Sequence, residues 1–310
     1  MSGALALGRV IVDLYAAELH TPLAEVASFR KYLGGSAGNT AVGLARLGAP
    51  AGLISRVGDD DFGRFLLAEL GREGVCTEMV ATDPVFPTGL AFAAIFPPDD
   101  SRVLFYRKPC ADANLGPEDI DRQRLAAARL LCVAGTALAV SPGREAALLA
   151  LQAHREAGGI NVLDVDWRPQ FWPSEPVARL YHRLAVGLCD VVLANEAELA
   201  FAGGDADPDR AAAALLALGP RQVVAKRGGS GAWLYSQDGV ERVPGHRIDV
   251  VNTLGAGDGF GAAYCYGLLQ DWPPARCLAF ANAAGAIVVS RHSCSQAMPT
   301  RAEVEALLER

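Results

Sequence analysis

The sequence predicts an α/β fold: a mostly parallel sheet covered by helices, with a smaller sheet beside it. Three observations carry this. After about residue 116, apolar strand-like runs alternate with helical ones, as in Leu130–Ala134, Pro142–Ala157 and Ile160–Val165, and such alternation builds a parallel sheet through right-handed crossovers. The chain opens on a near-continuous apolar run, Ala4–Val12, the pattern of a strand buried on both faces. Thr88–Phe96 and Arg102–Arg107 are rich in β-branched and aromatic residues and flank the turn Pro97-Pro98-Asp99-Asp100. That pair reads as a hairpin outside the alternation, hence as part of a separate small sheet.

Composition narrows the class. The 310 residues allow one large domain or two ordinary ones. With 51% hydrophobic and 20% charged residues, a well-buried core is expected and disorder is not. A net charge of −7 without a long basic block gives little support for binding nucleic acid or an anionic membrane. The most hydrophobic stretch, Leu130–Val140, is too short to span a bilayer, and no signal peptide is visible. Seven cysteines (Cys76, Cys110, Cys132, Cys189, Cys265, Cys277 and Cys294) form no C-x-x-C pair. Metal and disulfide frameworks are therefore disfavoured, and a reducing cytoplasm is the simplest location.

Taken in order, Ala4–Val12 reads as a first strand ending at Asp13, a carboxylate at the edge where α/β sheets bind ligands or simply a capped turn. Gly34-Gly35-Ser36-Ala37-Gly38-Asn39 is a glycine turn feeding a helix that stops at Gly48. Ala51–Arg56 is a strand, and Gly58-Asp59-Asp60-Asp61 opens a solvated, capped helix to Leu70. Pro117–Ala128 is a helix, and Val191–Ala194 and Gln222–Ala225 are strands. Arg168 precedes a proline just past the end of Ile160–Val165, where a guanidinium either grips a carboxylate or pairs with a neighbouring Asp. Pro274–Val289 is an apolar helix containing Asn282.

The stretch of greatest chemical interest is residues 248–261. Ile248–Val251 reads as a buried strand end, Gly255-Ala256-Gly257 as a turn, and Asp258 as the opening of a helix through about Leu269. A helix start offers unpaired N–H groups and partial positive charge, and glycines let an anion approach them. Asp258 is either an N-cap or a general base beside a phosphate cradle. Other motif matches are weaker. Gly34–Gly38 fits the G-x-S-x-G of hydrolases without a histidine in context. Lys226-Arg227-Gly228-Gly229-Ser230-Gly231 has its lysine before the glycines, unlike a Walker A loop. The G-x-G of 255–257 has Phe260 where a dinucleotide fingerprint needs Gly.

Four motifs in sequence resemble those of the ribokinase (PfkB) family of carbohydrate kinases: Gly34-Gly35 with Asn39, Asn195-x-x-Glu198, Lys226-x-Gly228-x-x-Gly231, and Gly255-Ala256-Gly257-Asp258. The resemblance covers essentially the whole chain. It implies a single three-layer α/β/α domain over 1–310, with lid segments at about 13–33 and 88–112 that also serve as a dimer surface. It implies phosphoryl transfer from ATP to a sugar hydroxyl, with Asp258 as base and the amides of Gly255, Ala256, Gly257 and Asp258 as the anion hole. By the same resemblance Asp13, Gly34, Gly35 and Asn39 orient the acceptor, Asn195 and Glu198 support Mg²⁺ through water, and Lys226, Gly228, Gly231 and Asn282 contact the nucleotide.

Further runs are similar to one branch of the family, the 5-dehydro-2-deoxygluconokinases of inositol catabolism. They are Leu7-Gly8-Arg9-Val10, Phe105-Tyr106-Arg107 with Cys110-Ala111-Asp112, Asp164-Val165-Asp166-Trp167-Arg168-Pro169, and Ser290-Arg291-His292 with Ala297-Met298-Pro299. The implied acceptor is a sugar acid whose carboxylate would suit Arg107 and Arg168. 2-Keto-3-deoxygluconate kinases share the R-P-x-x-W feature; neutral-sugar and nucleoside kinases of the family, and a non-catalytic binder on the same fold, are the alternatives. The departures are Asn252, where many relatives carry an Asp that helps to bind K⁺, Gly259, where Ala, Ser or Thr is usual, and Ser293 and Gln296, where the branch would have Gly and Pro. K⁺ is expected only if an amide can replace that carboxylate.

Overall fold

The computed structural model describes residues 3–97 and 100–309, so Pro98 and Asp99 of the expected hairpin turn lie outside the described residues. The first half of the chain contains β1 (Ala4–Leu7), β2 (Ile11–Ala16), β3 (Phe29–Gly34), α1 (Ser36–Arg46), β4 (Ala51–Gly58), α2 (Asp61–Arg72), β5 (Cys76–Asp83), β6 (Leu90–Phe96) and β7 (Asp100–Tyr106). There follow α3 (Arg122–Ala127), β8 (Leu130–Ala134), α4 (Gly143–Glu156), β9 (Ile160–Asp164), α5 (Glu175–Val186), β10 (Val191–Asn195), α6 (Glu196–Gly203), α7 (Pro208–Leu216) and β11 (Gln222–Lys226). The last elements are β12 (Ala232–Ser236), β13 (Gly239–Val243), α8 (Ala256–Leu269), α9 (Pro274–Val289) and α10 (Arg301–Leu308).

A nine-stranded sheet runs in the order β13-β12-β11-β10-β9-β8-β1-β4-β5, parallel except near one edge, where β12 is antiparallel to both β11 and β13. Because side chains alternate across a strand, β8 and β9 feed two cores. Leu131, Val133 and Leu163 pack with Ala147 and Leu151 of α4 and Ala185 of α5. Leu130, Cys132 and Val162 pack on the opposite face with Ala263 and Tyr264 of α8 and Phe280 of α9. Three layers result, as expected for a ribokinase-like α/β/α fold. A four-stranded sheet, β3-β2-β6-β7, stands apart from this core. Its odd-numbered positions Asp13, Tyr15, Ala91 and Phe105 share the face turned toward the main domain. All seven cysteines are free, and among the described residues no helix is long and apolar enough to cross a membrane.

Three local expectations are corrected. The run Ala4–Val12 is not one strand: β1 belongs to the large sheet and β2 to the small one. The break comes at Gly8, whose φ of 142° disfavours any side chain, and whose carbonyl is held by Ser55 Oγ at 2.7 Å. Asp13 therefore lies in the small sheet rather than at the end of a parallel strand. Ile248–Val251 is neither a strand nor buried, because Val251 and Asn252 donate their N–H groups to Val289 O at the end of α9 (2.8 and 3.1 Å) instead of joining a ladder. Only Arg122–Ala127 of the expected helix 117–128 is α-helical; Asp121 accepts from the amides of Gln123 and Arg124 and caps it there.

The crossing of α1 and α8 positions the start of α8 against both sheets. Asn39 and Gly43 are one turn apart on α1, and Asp258 and Ala262 one turn apart on α8. A Cβ at Gly43 would stand 2.6 Å from Ala262 Cβ, so the missing side chain is what lets the two backbones approach. One turn away, Asn39 Nδ2 donates to Asp258 Oδ2 at 2.7 Å.

Replacing Gly43 with Ala gains up to about 1 kcal/mol of helix propensity, but the clash is between two Cβ atoms that no rotamer can relieve. We expect Gly43→Ala to lower stability by about 1–3 kcal/mol in denaturant unfolding, and Gly43→Ala/Ala262→Gly to recover most of that loss. A neutral or stabilising Gly43→Ala would refute the tight crossing.

Candidate active site

The small sheet roofs a cavity of about 300 Å³. Its walls are the inner face of β2, β6 and β7, the start of α1 and the start of α8, and they include Asp13, Asn39, Phe105, Arg168 and Asp258. A larger cavity of about 720 Å³ runs along the C-terminal ends of β9, β10 and β11 and under the connector after β13. The two have Arg168, Leu254, Gly255 and Asp258 in common. Each is a reasonable size for a small ligand, and Asp258 stands where they meet.

Helix α8 begins at that meeting point. Gly255 is its N-cap in a left-handed conformation (φ 83°), which turns the chain sharply into the helix without side-chain strain. The first well-formed intrahelical bond runs from Gly259 N to Gly255 O at 2.9 Å. The amides of Gly257 and Asp258 ahead of it are orphan donors of a 14-residue helix and face the larger cavity with its positive dipole end. Asp258 is not the N-cap: it is the third residue of the helix, and its carboxylate accepts from Asn39 across the α1–α8 crossing. Gly259 is also accounted for, since a Cβ there would lie 2.7 Å from Val288 Cγ2.

Burial pushes up three carboxylates here, Asp258, Asp13 and, beside Lys226, Asp164. Burial, and then the neighbouring charge of Asp166, push Asp258 up to about 7, against the hydrogen bond from Asn39. Burial pushes Asp13 up to about 7 as well, against the charge of Arg9. A Cβ on Gly34 would overlap the Asp13 carboxyl, so Gly34 serves by leaving room while Gly35 itself lines the smaller cavity. Asp166 behaves in the opposite way. Burial works against its charge, yet Arg168, Arg9 and the hydroxyls of Ser36 and Thr136 hold it well below the usual carboxylate range.

The larger cavity gathers the other expected residues. Asn195 and Glu198 line it and form a capping box at the start of α6, with Glu198 N donating to Asn195 Oδ1 (2.9 Å) and Asn195 N to Glu198 Oε2 (2.7 Å). The other oxygen, Glu198 Oε1, accepts from Trp167 N at 3.1 Å. Lys226 points toward the start of α8 rather than outward along its loop. Its Nζ is 2.8 Å from Asp164 Oδ1 and 3.8 Å from Glu198 Oε2, and these two carboxylates keep it protonated despite burial. Gly228, Gly231 and Asn282 line the same cavity; Asn282 Nδ2 reaches Pro244 O at 3.3 Å and so steadies the connector over it.

Two expected acceptor residues line neither cavity: Gly34, which only leaves room for Asp13, and Arg107. Arg107 does not line the smaller cavity, because the Cys110–Asp112 turn folds back and Asp112 takes its guanidinium, with Nε 3.0 Å from Oδ2 and one NH₂ group also on Oδ2. Arg168 does reach both cavities, half-exposed, with an NH₂ group 3.2 Å from Asp166 Oδ1. The residue that sequence reasoning assigned no role is Arg9, which lines the smaller cavity and is only 6% exposed. Its signal was a lone charge inside an apolar run.

Two cavities that share one carboxylate beside a helix start leave room for one ligand on each side of Asp258. The chain belongs to the pfkB family of carbohydrate kinases: the family model matches residues 1–301. It is thus a phosphotransferase acting on a sugar hydroxyl. Among its relatives, a 5-dehydro-2-deoxygluconokinase of Geobacillus kaustophilus (strain HTA426) is 41% identical, over 98% of this chain and 93% of that protein. Two solved structures superpose closely. A ribokinase-type protein from Escherichia coli in complex with ATP and Mg²⁺ gives a TM-score of 0.93 at 26% identity over the whole of both chains. A fructokinase with bound ATP from Xylella fastidiosa gives 0.91 at 25% identity, over 100% of this chain and 99% of the other.

Proposed function

We propose that this kinase phosphorylates 5-dehydro-2-deoxy-D-gluconate with ATP, the acceptor binding in the smaller cavity and the nucleotide in the larger. The observation that carries this reading is the position of Asp258, shared by both cavities and adjoining the orphan amides at the start of α8. Phosphoryl transfer needs little covalent chemistry from the protein; it needs positioning, a base for the acceptor and stabilisation of charge. In this reading Asp258 removes the proton of the attacking hydroxyl while Asn39 fixes the carboxylate's orientation. The amides of Gly257 and Asp258 receive the charge that builds on the transferred group. Lys226 and Asn282 hold the nucleotide, and Gly228 and Gly231 keep its loop low. Asp13 and Gly35 bind acceptor hydroxyls, and Arg168 meets its carboxylate.

The acid is preferred over a neutral sugar because the smaller cavity is walled by Arg168 and by Arg9. The name of the Geobacillus relative and its 41% identity favour the 5-dehydro-2-deoxy acid over 2-keto-3-deoxygluconate. Mg²⁺ fits the donor set only through water. Among the described residues no group of three or more His, Cys, Asp or Glu could hold a metal ion, and both oxygens of Glu198 already accept amide hydrogen bonds. A hydrated ion retaining several waters suits Glu198 and Asn195, where it would offset phosphate charge. K⁺ does not fit at Asn252. The amide oxygen accepts from Leu254 N at 3.0 Å, and Nδ2, a donor, is the buried atom left without a partner.

The acceptor test is an ADP-release assay with Mg-ATP and 5-dehydro-2-deoxygluconate, 2-keto-3-deoxygluconate, fructose, ribose and adenosine. Turnover on a neutral sugar or nucleoside but not on an acid would sink the substrate assignment. Asp258→Asn is expected to lose about a thousandfold or more in kcat with unchanged folding. The base works only when ionised, and its carboxyl sits at about 7, so kcat/KM should fall as pH drops below neutrality. Asn39→Ala removes a hydrogen bond that favours the ionised form, and the acid limb should move to higher pH. A flat profile down to about pH 5 would exclude a base with this pKa.

Exchange of K⁺ for Na⁺ at constant ionic strength should leave kcat/KM unchanged; strong activation by K⁺ would contradict the reading of Asn252. We further infer a homodimer through the outer face of the small sheet, where Phe29, Leu104 and Tyr106 are 37%, 48% and 61% exposed and Phe92 bridges Phe29 and Tyr106 in edge-on contacts. Light scattering should give a dimer that Tyr106→Asp weakens; a monomer at all concentrations would reject it.

A further inference from the structure

Arg9 is a buried cation with less compensation than its surroundings would suggest. It stands just after Gly8 in the short link from β1 to the small sheet, and its backbone is clamped: its carbonyl accepts from Gly38 N at 3.2 Å. The guanidinium carbon lies 5.5 Å from the ring of Phe105 and 5.6 Å from that of Phe171. One NH₂ group is 3.4 Å from Ser36 Oγ and 3.6 Å from Asp166 Oδ2. Nε and the other NH₂ group are buried with no hydrogen-bond partner. A guanidinium carries five N–H donors, and leaving such donors unsatisfied away from water is costly.

The local charges show what is missing. Arg107 and Asp112 neutralise each other as a closed pair. Asp166 alone faces both Arg9 and Arg168. Arg9 and Arg168 therefore share one ion-pair partner, and Arg9 is left with nitrogens that no group of the protein satisfies. Burial, opposed by Asp166 and reinforced by the like charges of Arg107 and Arg168, lowers the pKa of Arg9, and an anion bound beside it would remove that penalty. The guanidinium is at the cavity wall, since Phe105, Ser36 and Arg168 all line it.

We propose that Arg9 is the specificity-determining anchor for the acceptor's carboxylate, its guanidinium, short of hydrogen-bond partners and flanked by Phe105 and Phe171 at the wall of the smaller cavity, serving as the anion seat. This rests on the sugar-acid reading of that cavity. Arg168, half-exposed and at the junction of the two cavities, closes on the bound molecule from the nucleotide side. Arg9 by contrast is fixed before binding, held between Phe105 and Phe171, so it contributes without ordering a flexible side chain.

The test compares the sugar acid with its neutral analogue, in which the carboxylate is reduced to the alcohol. Wild-type enzyme, Arg9→Met and Arg9→Lys are assayed with both acceptors. With Arg9→Met, KM for the acid should rise about 10- to 100-fold. The loss should fall on that KM more than on kcat, and the preference for acid over analogue should collapse. KM for Mg-ATP serves as the control for a folded nucleotide side, and Arg9→Lys should restore part of the preference. Equal losses of kcat/KM on acid and analogue would overturn the proposal and leave Arg9 a structural partner of Asp166. If Arg9→Met does not fold, the same comparison is read from Arg9→Lys. Wild-type enzyme that turns over no sugar acid would overturn the substrate reading and this inference together; wild-type activity on the acid with unaltered preference in both variants would overturn this inference alone.

Discussion

The close crossing of α1 and α8 is the constraint on which the rest of the site depends. Two helices meet at Gly43 and Ala262 with no room for another methyl group, and one turn further on Asn39 bonds Asp258. The first contact fixes the distance between the helices and the second uses it. Because the interior is close-packed, a change of one methyl at the crossing cannot be absorbed locally. The start of α8 is thereby held against the large sheet's C-terminal edge, with its orphan amides and its acidic third residue directed at the same place.

Around that fixed point the two sheets supply different halves of the chemistry. The large parallel sheet delivers Asp164, Asn195 and Lys226 from three neighbouring strand ends. The small sheet contributes alternate side chains from one face, Asp13 and Tyr15 from β2 and Phe105 from β7. Only Gly8 and its neighbours separate the strand that builds the floor from the strand that builds the roof. A break in the first apolar run is therefore what turns a single buried strand into a bridge between scaffold and cover.

Charge is distributed unevenly over this framework. Asp166 takes on two arginines and is held ionised, whereas Asp13 and Asp258 are desolvated and resist ionisation. Carboxylates a few residues' width apart are thus driven in opposite directions by what surrounds them, ion pairing for the one and burial for the other two. Lys226 is confined between Asp164 and Glu198, which places a cation beneath the helix start without exposing it. In a protein of net charge −7, the positive groups deepest in the two cavities are thus the individually placed Arg9 and Lys226, with Arg168 half-exposed between them.

The sequence by itself determined the strand–helix alternation, the glycine turns at 34–35 and 255–257, and the identity of Asp258 as the residue of interest, because these depend on local patterns of apolarity and backbone freedom. It did not reveal that Asp258 leaves the capping position to Gly255, nor that Ala4–Val12 divides between two sheets, since an apolar run has the same composition in either case. Arg107 and Arg9 illustrate the limit best. Each is an arginine near a strand end, and although Arg9 stands alone in an apolar run, that run does not show which of the two keeps unpaired donors. Asp112 folds back onto the first, while the second meets Phe105, Phe171 and Asp166 from distant parts of the chain. Which arginine keeps unpaired donors is settled by what tertiary packing brings beside it, and that is a property no window of sequence contains.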